Sequence, residues 1–394
     1  MKRVEARSDV FPIALGRYLA TVEVYADIAA ETRSLLRDVI RPEASPRGAS
    51  IVIRPDGHRH RITVDRAKWE PPPGQSTLDQ LVYVLLRASL DAEPQCLHLH
   101  AGYVATQGRG VLLAGFPGSG KSTLVAQLVD AGFDYLTDER VGLDRARRLW
   151  PLPKPISLVP TSFPVLPHLD PAHTGAGSAS GALWHVPASA IRANSVAHDA
   201  TAAAIVFVQF QANAPLLRTD LHPVEAARLL LEDSPDARRF GAEGVHLAAG
   251  LCATHRCVRL VYGNAAHAIA SLRQLALADP GAARRIVALP ALPTPTARTS
   301  GSNAPDNLDE RPLRRADGIT GALVSGRCLL HAATTGHVIE LDETASSWLQ
   351  LLDGVTPLAD IIAEVADANE LSTADIAPIA RGVVQQLIAQ GVVR

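Results

Sequence analysis

The run Gly115-Phe116-Pro117-Gly118-Ser119-Gly120-Lys121-Ser122-Thr123 constrains this chain more than any other stretch. It satisfies GxxxxGK[ST] at every required position. An apolar segment that reads as a strand precedes it, residues 110–114, and an amphipathic segment that reads as a helix follows, residues 122–131. Strand, glycine turn and helix in that order aim several backbone N–H groups and a helix N-terminus at one point, which suits a phosphate. Lys121 is expected to reach the β- and γ-phosphates, and the Ser122 hydroxyl to ligate Mg²⁺. Gly115, Pro117, Gly118, Ser119, Gly120, Lys121, Ser122 and Thr123 are therefore the candidate nucleotide-binding residues, with ATP and Mg²⁺ as the expected ligands. The loop alone specifies nucleotide binding and leaves the fate of the γ-phosphate open.

Composition narrows the classes. At 394 residues, with 47% apolar and 20% charged residues, the chain is long enough for two to three domains and too apolar to be disordered throughout. A net charge of −2 gives no field for nucleic acid or an anionic membrane. The longest apolar stretch, near residues 202–208, is far short of a membrane span, and residues 1–10 lack the apolar core of a signal peptide. Cys96, Cys252, Cys257 and Cys328 are scattered, which fits neither a disulfide framework nor a zinc ribbon. Cys252 and Cys257 flank His255, but two thiols and one imidazole fall short of a four-ligand metal site. The expectation is a reduced, cytoplasmic protein.

Pattern divides the chain into four stretches. Residues 1–95 mix short strands and helices, including a hairpin around Pro55-Asp56-Gly57 and a helix over 77–90, and form a small α+β accessory region. Residues 96–279 alternate strands and helices, as in an α/β sheet with covered faces. Residues 280–311, rich in Pro, Ala, Ser and Thr, read as a linker. Residues 312–394 regain a strong pattern: a strand at 338–341, a helix over 343–352 capped by Asp342, a second helix from Thr356-Pro357, and a third over 374–390 ending at Gly391.

Two further features sharpen the chemistry. Residues 133–136 can form a strand that delivers Asp138 and Glu139 to its carboxyl end, the edge where ligands sit in open α/β sheets. Two carboxylates there can divide two tasks, holding Mg²⁺ and accepting a hydroxyl proton; a solvated turn would look the same in sequence. Leu97-His98-Leu99-His100 alternates, so His98 and His100 share a face. That segment precedes the strand feeding the glycine loop and is expected to pair with it through residues 107–109.

His100-Ala101-Gly102, the glycine loop and Thr137-Asp138-Glu139 together resemble the HPr kinase/phosphorylase catalytic domain. The order and spacing agree: Lys121 lies 21 residues after His100, and the acidic pair 17 and 18 residues after Lys121. Pro153-Lys154-Pro155-Ile156-Ser157-Leu158 resembles the proline-rich strand that follows the acidic pair there. The resemblance implies ATP-dependent transfer of a phosphoryl group to a hydroxyl, usually serine, of a polypeptide. It implies catalytic roles for Lys121, Asp138, Glu139 and His100, with Ser122 and Asp138 at the metal, one of the acidic pair as base, and His100 beside it. It leaves a homo-oligomer open. The second acidic residue is Glu where that family has Asp, and no downstream signature loop of the bifunctional enzymes is found.

The C-terminal stretch resembles PqqD, a small winged-helix-like domain that serves as a recognition element for ribosomally made precursor peptides. That implies three strands packed on three helices, with a leader peptide adding as an extra strand beside the last helix. DNA binding is the bland alternative, but the last helix carries only Arg381 as a cation. The combined expectation is a kinase that phosphorylates a serine of a precursor peptide captured by its leader, without nucleic-acid or membrane partners. The alternative is a nucleotide-gated adaptor that binds the leader without turnover.

Overall fold

The computed structural model describes residues 8–25, 27–42, 49–56, 59–65, 67–69, 76–170, 176–177, 181–279, 282–289 and 307–394. Gly57, His58, Pro71-Pro72-Pro73 and residues 290–306 of the stretch read as a linker lie outside them. The protein is mixed α/β and divides into two units. One comprises Met1–Leu221, Asp233–Pro235 and His255–Gly281; the other comprises His222–Glu232, Asp236–Thr254 and Ala282–Arg394.

The first unit is organised by a six-stranded sheet, ordered Leu217–Asp220, Arg256–Tyr262, Thr201–Phe210, Arg109–Ala114, Gly102–Thr106 and Asp134–Thr137. The Val- and Leu-rich strands at its centre are buried on both faces, as their unbroken apolar runs require. The helices Lys121–Asp130 and Ala265–Leu277 cover one face through Leu124, Val125, Leu128, Leu272 and Leu275. Gly102–Thr106 runs antiparallel to both Arg109–Ala114 and Asp134–Thr137, so those two strands point the same way. Their carboxyl ends, and the start of Gly102–Thr106 between them, therefore meet at one sheet edge. The expected hairpin through residues 107–109 forms, but the segment before it does not stay in one sheet. Leu97–His100 turns away at Ala101 and pairs with Arg140–Leu143 in a separate three-stranded sheet.

The N-terminal stretch is a five-stranded sheet, Ser8–Leu15, Tyr18–Tyr25, Ala49–Asp56, Arg59–Val64 and Ala67–Trp69 in spatial order. The helices Ala29–Leu36 and Thr77–Ala92 pack against it through Leu36, Leu81 and Leu85, facing Ile13, Val22, Ile51 and Ile53. Ser76 caps the second helix by accepting from the Asp79 amide at 3.1 Å, worth about 1 kcal/mol.

The second unit is built on a four-stranded antiparallel sheet, Ile286–Leu289, Ile319–Val324, Arg327–Ala332 and His337–Leu341 in order. Its first strand comes from the stretch read as a linker. Alternation sorts the third strand: Cys328, Leu330 and Ala332 join a core with Trp348, Leu349, Ile361, Val384 and Leu387 of the helices Glu343–Leu351, Leu358–Ala368 and Thr373–Ala389. The helices Pro223–Glu232 and Ala237–Thr254, from within the stretch read as the α/β region, also pack on this sheet, the longer one at Ile286–Leu289, Ile319–Val324 and Arg327–Ala332. The longer helix breaks at Gly241, whose φ of 51° suits glycine, and a Cβ there would meet the His331 ring at 3.2 Å. Among the described residues no helix is long and apolar enough to cross a membrane.

Candidate functional site

The glycine loop leaves the end of Arg109–Ala114 and enters the helix Lys121–Asp130 at Gly120. Gly115, at φ 149°, lies so close to the neighbouring strand that a Cβ would stand 2.7 Å from the Val208 carbonyl oxygen. Gly120 is left-handed at φ 88°. These backbone shapes turn the chain tightly enough to leave the helix N-terminus open at the sheet edge. The Lys121 ammonium folds back onto its own loop, donating to the Gly115 carbonyl and, at 3.4 Å, to that of Phe116. Burial lowers its pKa below the usual lysine value, partly opposed by Asp233. The Ser119 hydroxyl is buried in the loop without a hydrogen-bond partner, and Thr123 hydrogen-bonds Ser162 at 2.7 Å. Ser122 stands in the first turn of the helix, and Pro117 and Gly118 form the exposed rim of the loop.

The acidic pair follows the parallel strand Asp134–Thr137 at the same edge, and its two members have different surroundings. Asp138 is buried, and both carboxylate oxygens are taken: Oδ1 accepts from the Tyr135 hydroxyl at 3.0 Å and from Lys154 at 2.9 Å, and Oδ2 from the Ser157 amide at 3.0 Å. Glu139 keeps 30% of its side chain exposed and meets Lys154 at 3.1 Å. Burial pushes the Glu139 carboxyl up, but Lys154, Arg140 and His100 outweigh it and hold its pKa below the ordinary value. Lys154 is itself pulled down by burial, yet Asp138 and Glu139 prevail and keep it above the usual lysine value. Tyr135, fully buried beside Asp138, is raised well above the ordinary phenol.

His100 is set beside this pair by strand register. It lies directly across from Arg140, and the Ala101 amide donates to the Glu139 carbonyl at 3.1 Å. Its Nδ1 lies 3.0 Å from the Asp233 carboxylate, and Asp233 also approaches Lys121 at 3.8 Å. Burial, Lys121 and Arg140 lower the His100 pKa in that order. Lys121, His100 and Glu139 thus stand at one edge, while Asp138 faces inward.

Sequence reasoning missed Lys154, Tyr135 and Asp233. A signal for the first existed: the lysines are Lys2, Lys68, Lys121 and Lys154 in a chain that otherwise uses arginine, and Lys154 sits in an apolar, proline-flanked segment. Nothing local marks Asp233. The cysteines are all free and buried, and no cluster of metal-ligating side chains occurs among the described residues.

A second candidate site lies in the second unit. His337–Leu341 is the outer strand of its sheet, and beside it runs a groove of about 820 Å³ lined by Val338, Glu340, Ala345, Val383, Ala389 and Arg228. Glu340 accepts from Arg228 Nε at 2.8 Å and from Arg327 Nη2 at 2.7 Å. Arg228 comes from Pro223–Glu232, so one wall of the groove lies about a hundred residues away in sequence.

No curated protein matches the chain. Among solved structures, "Structure of the Hpr(Ser) kinase/phosphatase from Coxiella burnetii" is similar at 12% identity, covering 45% of this chain and 94% of that one, with a TM-score of 0.26. Residues 327–393, which hold the outer strand, most of the groove's lining and the three C-terminal helices, match the family model described as Coenzyme PQQ synthesis protein D (PqqD).

Proposed function

We propose that the protein is an ATP-dependent kinase that phosphorylates a hydroxyl, most simply that of serine, on a ribosomally made precursor peptide held through its leader. The observation that carries this reading is the meeting of Lys121, His100 and a partly exposed Glu139 at the sheet edge where the glycine loop opens. The loop's residues fit a nucleotide phosphate: an orphaned Ser119 hydroxyl, an open rim at Gly118 and a free helix N-terminus. They also fit Mg²⁺ at the Ser122 hydroxyl, where the ion would offset charge on the β- and γ-phosphates. Asp138, expected at the metal, has its oxygens committed to Tyr135, Lys154 and Ser157, so we assign it the support of Lys154 and assign the base to Glu139.

In this reading the substrate hydroxyl gives its proton to Glu139 and its oxygen forms the new bond to the γ-phosphorus. The bond from that phosphorus to the β–γ bridging oxygen breaks, and ADP leaves with the electron pair. Lys121 turns from the loop carbonyls to the phosphates. Positioning and charge supply most of the acceleration in phosphoryl transfer.

The PqqD match supports the choice of a precursor peptide, since domains of that family bind such peptides. A leader strand added to His337–Leu341 would gain backbone hydrogen bonds, while the groove beside the last helix receives alternate side chains. Tethering there raises the effective concentration of the core peptide at the glycine loop. Incubation with ATP, Mg²⁺ and the cognate precursor should add the mass of one phosphate to the peptide. Nucleotide-dependent leader binding with no added phosphate would overturn the kinase reading in favour of an adaptor.

A further inference from the structure

A buried polar chain runs from the N-terminal helix Thr77–Ala92 to the acidic pair. Lys154 donates to Ser157 Oγ at 2.8 Å, Ser157 Oγ lies 3.3 Å from His185 Nδ1, and His185 Nε2 lies 2.8 Å from Asp79 Oδ1. The side chains of His185 and Asp79 are 6% and 5% exposed. Strand pairing sets the middle link, because Ser157 and His185 face each other across Ile156–Leu158 and Trp184–Val186. Helix geometry sets the far end. Asp79 is the third residue of a helix capped by Ser76, where the helix dipole favours a carboxylate.

These contacts form one continuous chain. Lys154 donates to the Ser157 oxygen, Ser157 Oγ lies within hydrogen-bond reach of His185 Nδ1, and His185 Nε2 makes a close polar contact with the Asp79 carboxylate, whose oxygens have no hydrogen-bond partner. The other two Lys154 N–H groups go to Asp138 and to the Pro155 carbonyl at 3.1 Å, and the ammonium also lies 3.1 Å from the Glu139 carboxylate. The ammonium is fixed from two sides, and Glu139 takes its position from that ammonium.

We infer that Asp79 and His185 are positioning residues for Glu139, so the N-terminal region holds the proposed base in place through Ser157 and Lys154. This rests on the kinase reading for its kinetic consequence but not for its structural one. The role differs from fold support alone, because a displaced carboxylate lowers the rate of the chemical step and leaves ATP binding intact.

The test uses Asp79→Leu, Asp79→Asn and Ser157→Ala in the full-length protein, each checked for folding by circular dichroism. Asp79→Leu and Ser157→Ala should lower kcat about tenfold or more with KM for ATP unchanged. Asp79→Asn, which keeps a polar oxygen of the same shape facing His185, should recover most of the loss. A lysine-acylating reagent followed by peptide mass analysis gives an independent readout: Lys154 should be silent in the parent protein and modified in Asp79→Leu and Ser157→Ala. Folded variants with unchanged kcat and a silent Lys154 would overturn the inference. If the parent protein transfers no phosphate, the kinase reading fails, and the acylation pattern alone decides whether the chain of contacts holds Lys154.

Discussion

Lys154 lies 2.9 Å from Asp138, and both side chains are almost wholly withdrawn from solvent. The pair stands behind the working edge of the sheet rather than on it. The buried ammonium is balanced by the buried Asp138 carboxylate, while Glu139, also 3.1 Å from Lys154, keeps 30% of its side chain exposed. Two adjacent carboxylates thereby acquire different tasks.

Substitutions at the two acids should separate accordingly. Asp138→Asn leaves Lys154 without its buried counter-charge and should destabilise the protein by about 3–5 kcal/mol, read as a fall in urea midpoint. Glu139→Gln should leave the midpoint nearly unchanged and reduce phosphate incorporation by about a hundredfold or more. Equal losses of stability in both variants would contradict this division.

Lys121→Ala should abolish phosphate incorporation and leave leader binding intact, because the groove belongs to the other unit. Titration of a fluorescent leader peptide against the variant measures the second quantity directly.

Val383 lines the groove and packs against the C-terminal core. Val383→Arg should weaken leader binding about tenfold or more, since a long charged side chain would fill the groove where a leader side chain must sit. Turnover of a leaderless core peptide should be unaffected. Deletion of residues 312–394 is a poorer experiment. It removes three of the four strands of the sheet on which Ala237–Thr254 packs, including two of the three strands that helix contacts, and the product should aggregate.

His100, His198, His222, His246 and His331 are each held below the usual imidazole value, chiefly by burial. The unfolded chain then binds more protons than the folded one once pH drops through about 6.5. Stability should be fully present above that pH and decline as pH falls below it. Urea midpoints measured from pH 7.5 to 5 check the sign.

All four cysteines are buried, and burial pushes the Cys96 thiol up to about 11 and raises Cys328 as well. Ellman's reagent should titrate almost no thiol in the native protein at pH 8 and all of them in guanidinium.

Local chemistry made much of this protein legible in its residues. The glycine loop, its flanking strand and helix, the hairpin through residues 107–109 and the Asp342 cap depend on neighbours in sequence, and each forms as read. The edge position of Asp138 and Glu139 also follows from strand order. What each of them does does not. Asp138 turns inward because Tyr135, Lys154 and Ser157 converge on it, and Lys154 and Ser157 lie 16 and 19 residues further along the chain. Asp233 reaches His100 from 133 residues away. Ile286–Leu289 becomes a strand because Ile319–Val324 offers it an open edge, and two helices leave the chain order of the α/β region to cover that same sheet. Hydrophobic periodicity reports that a face must be buried; only packing decides against what, and the charge balance around each carboxylate is set by groups brought together after that choice.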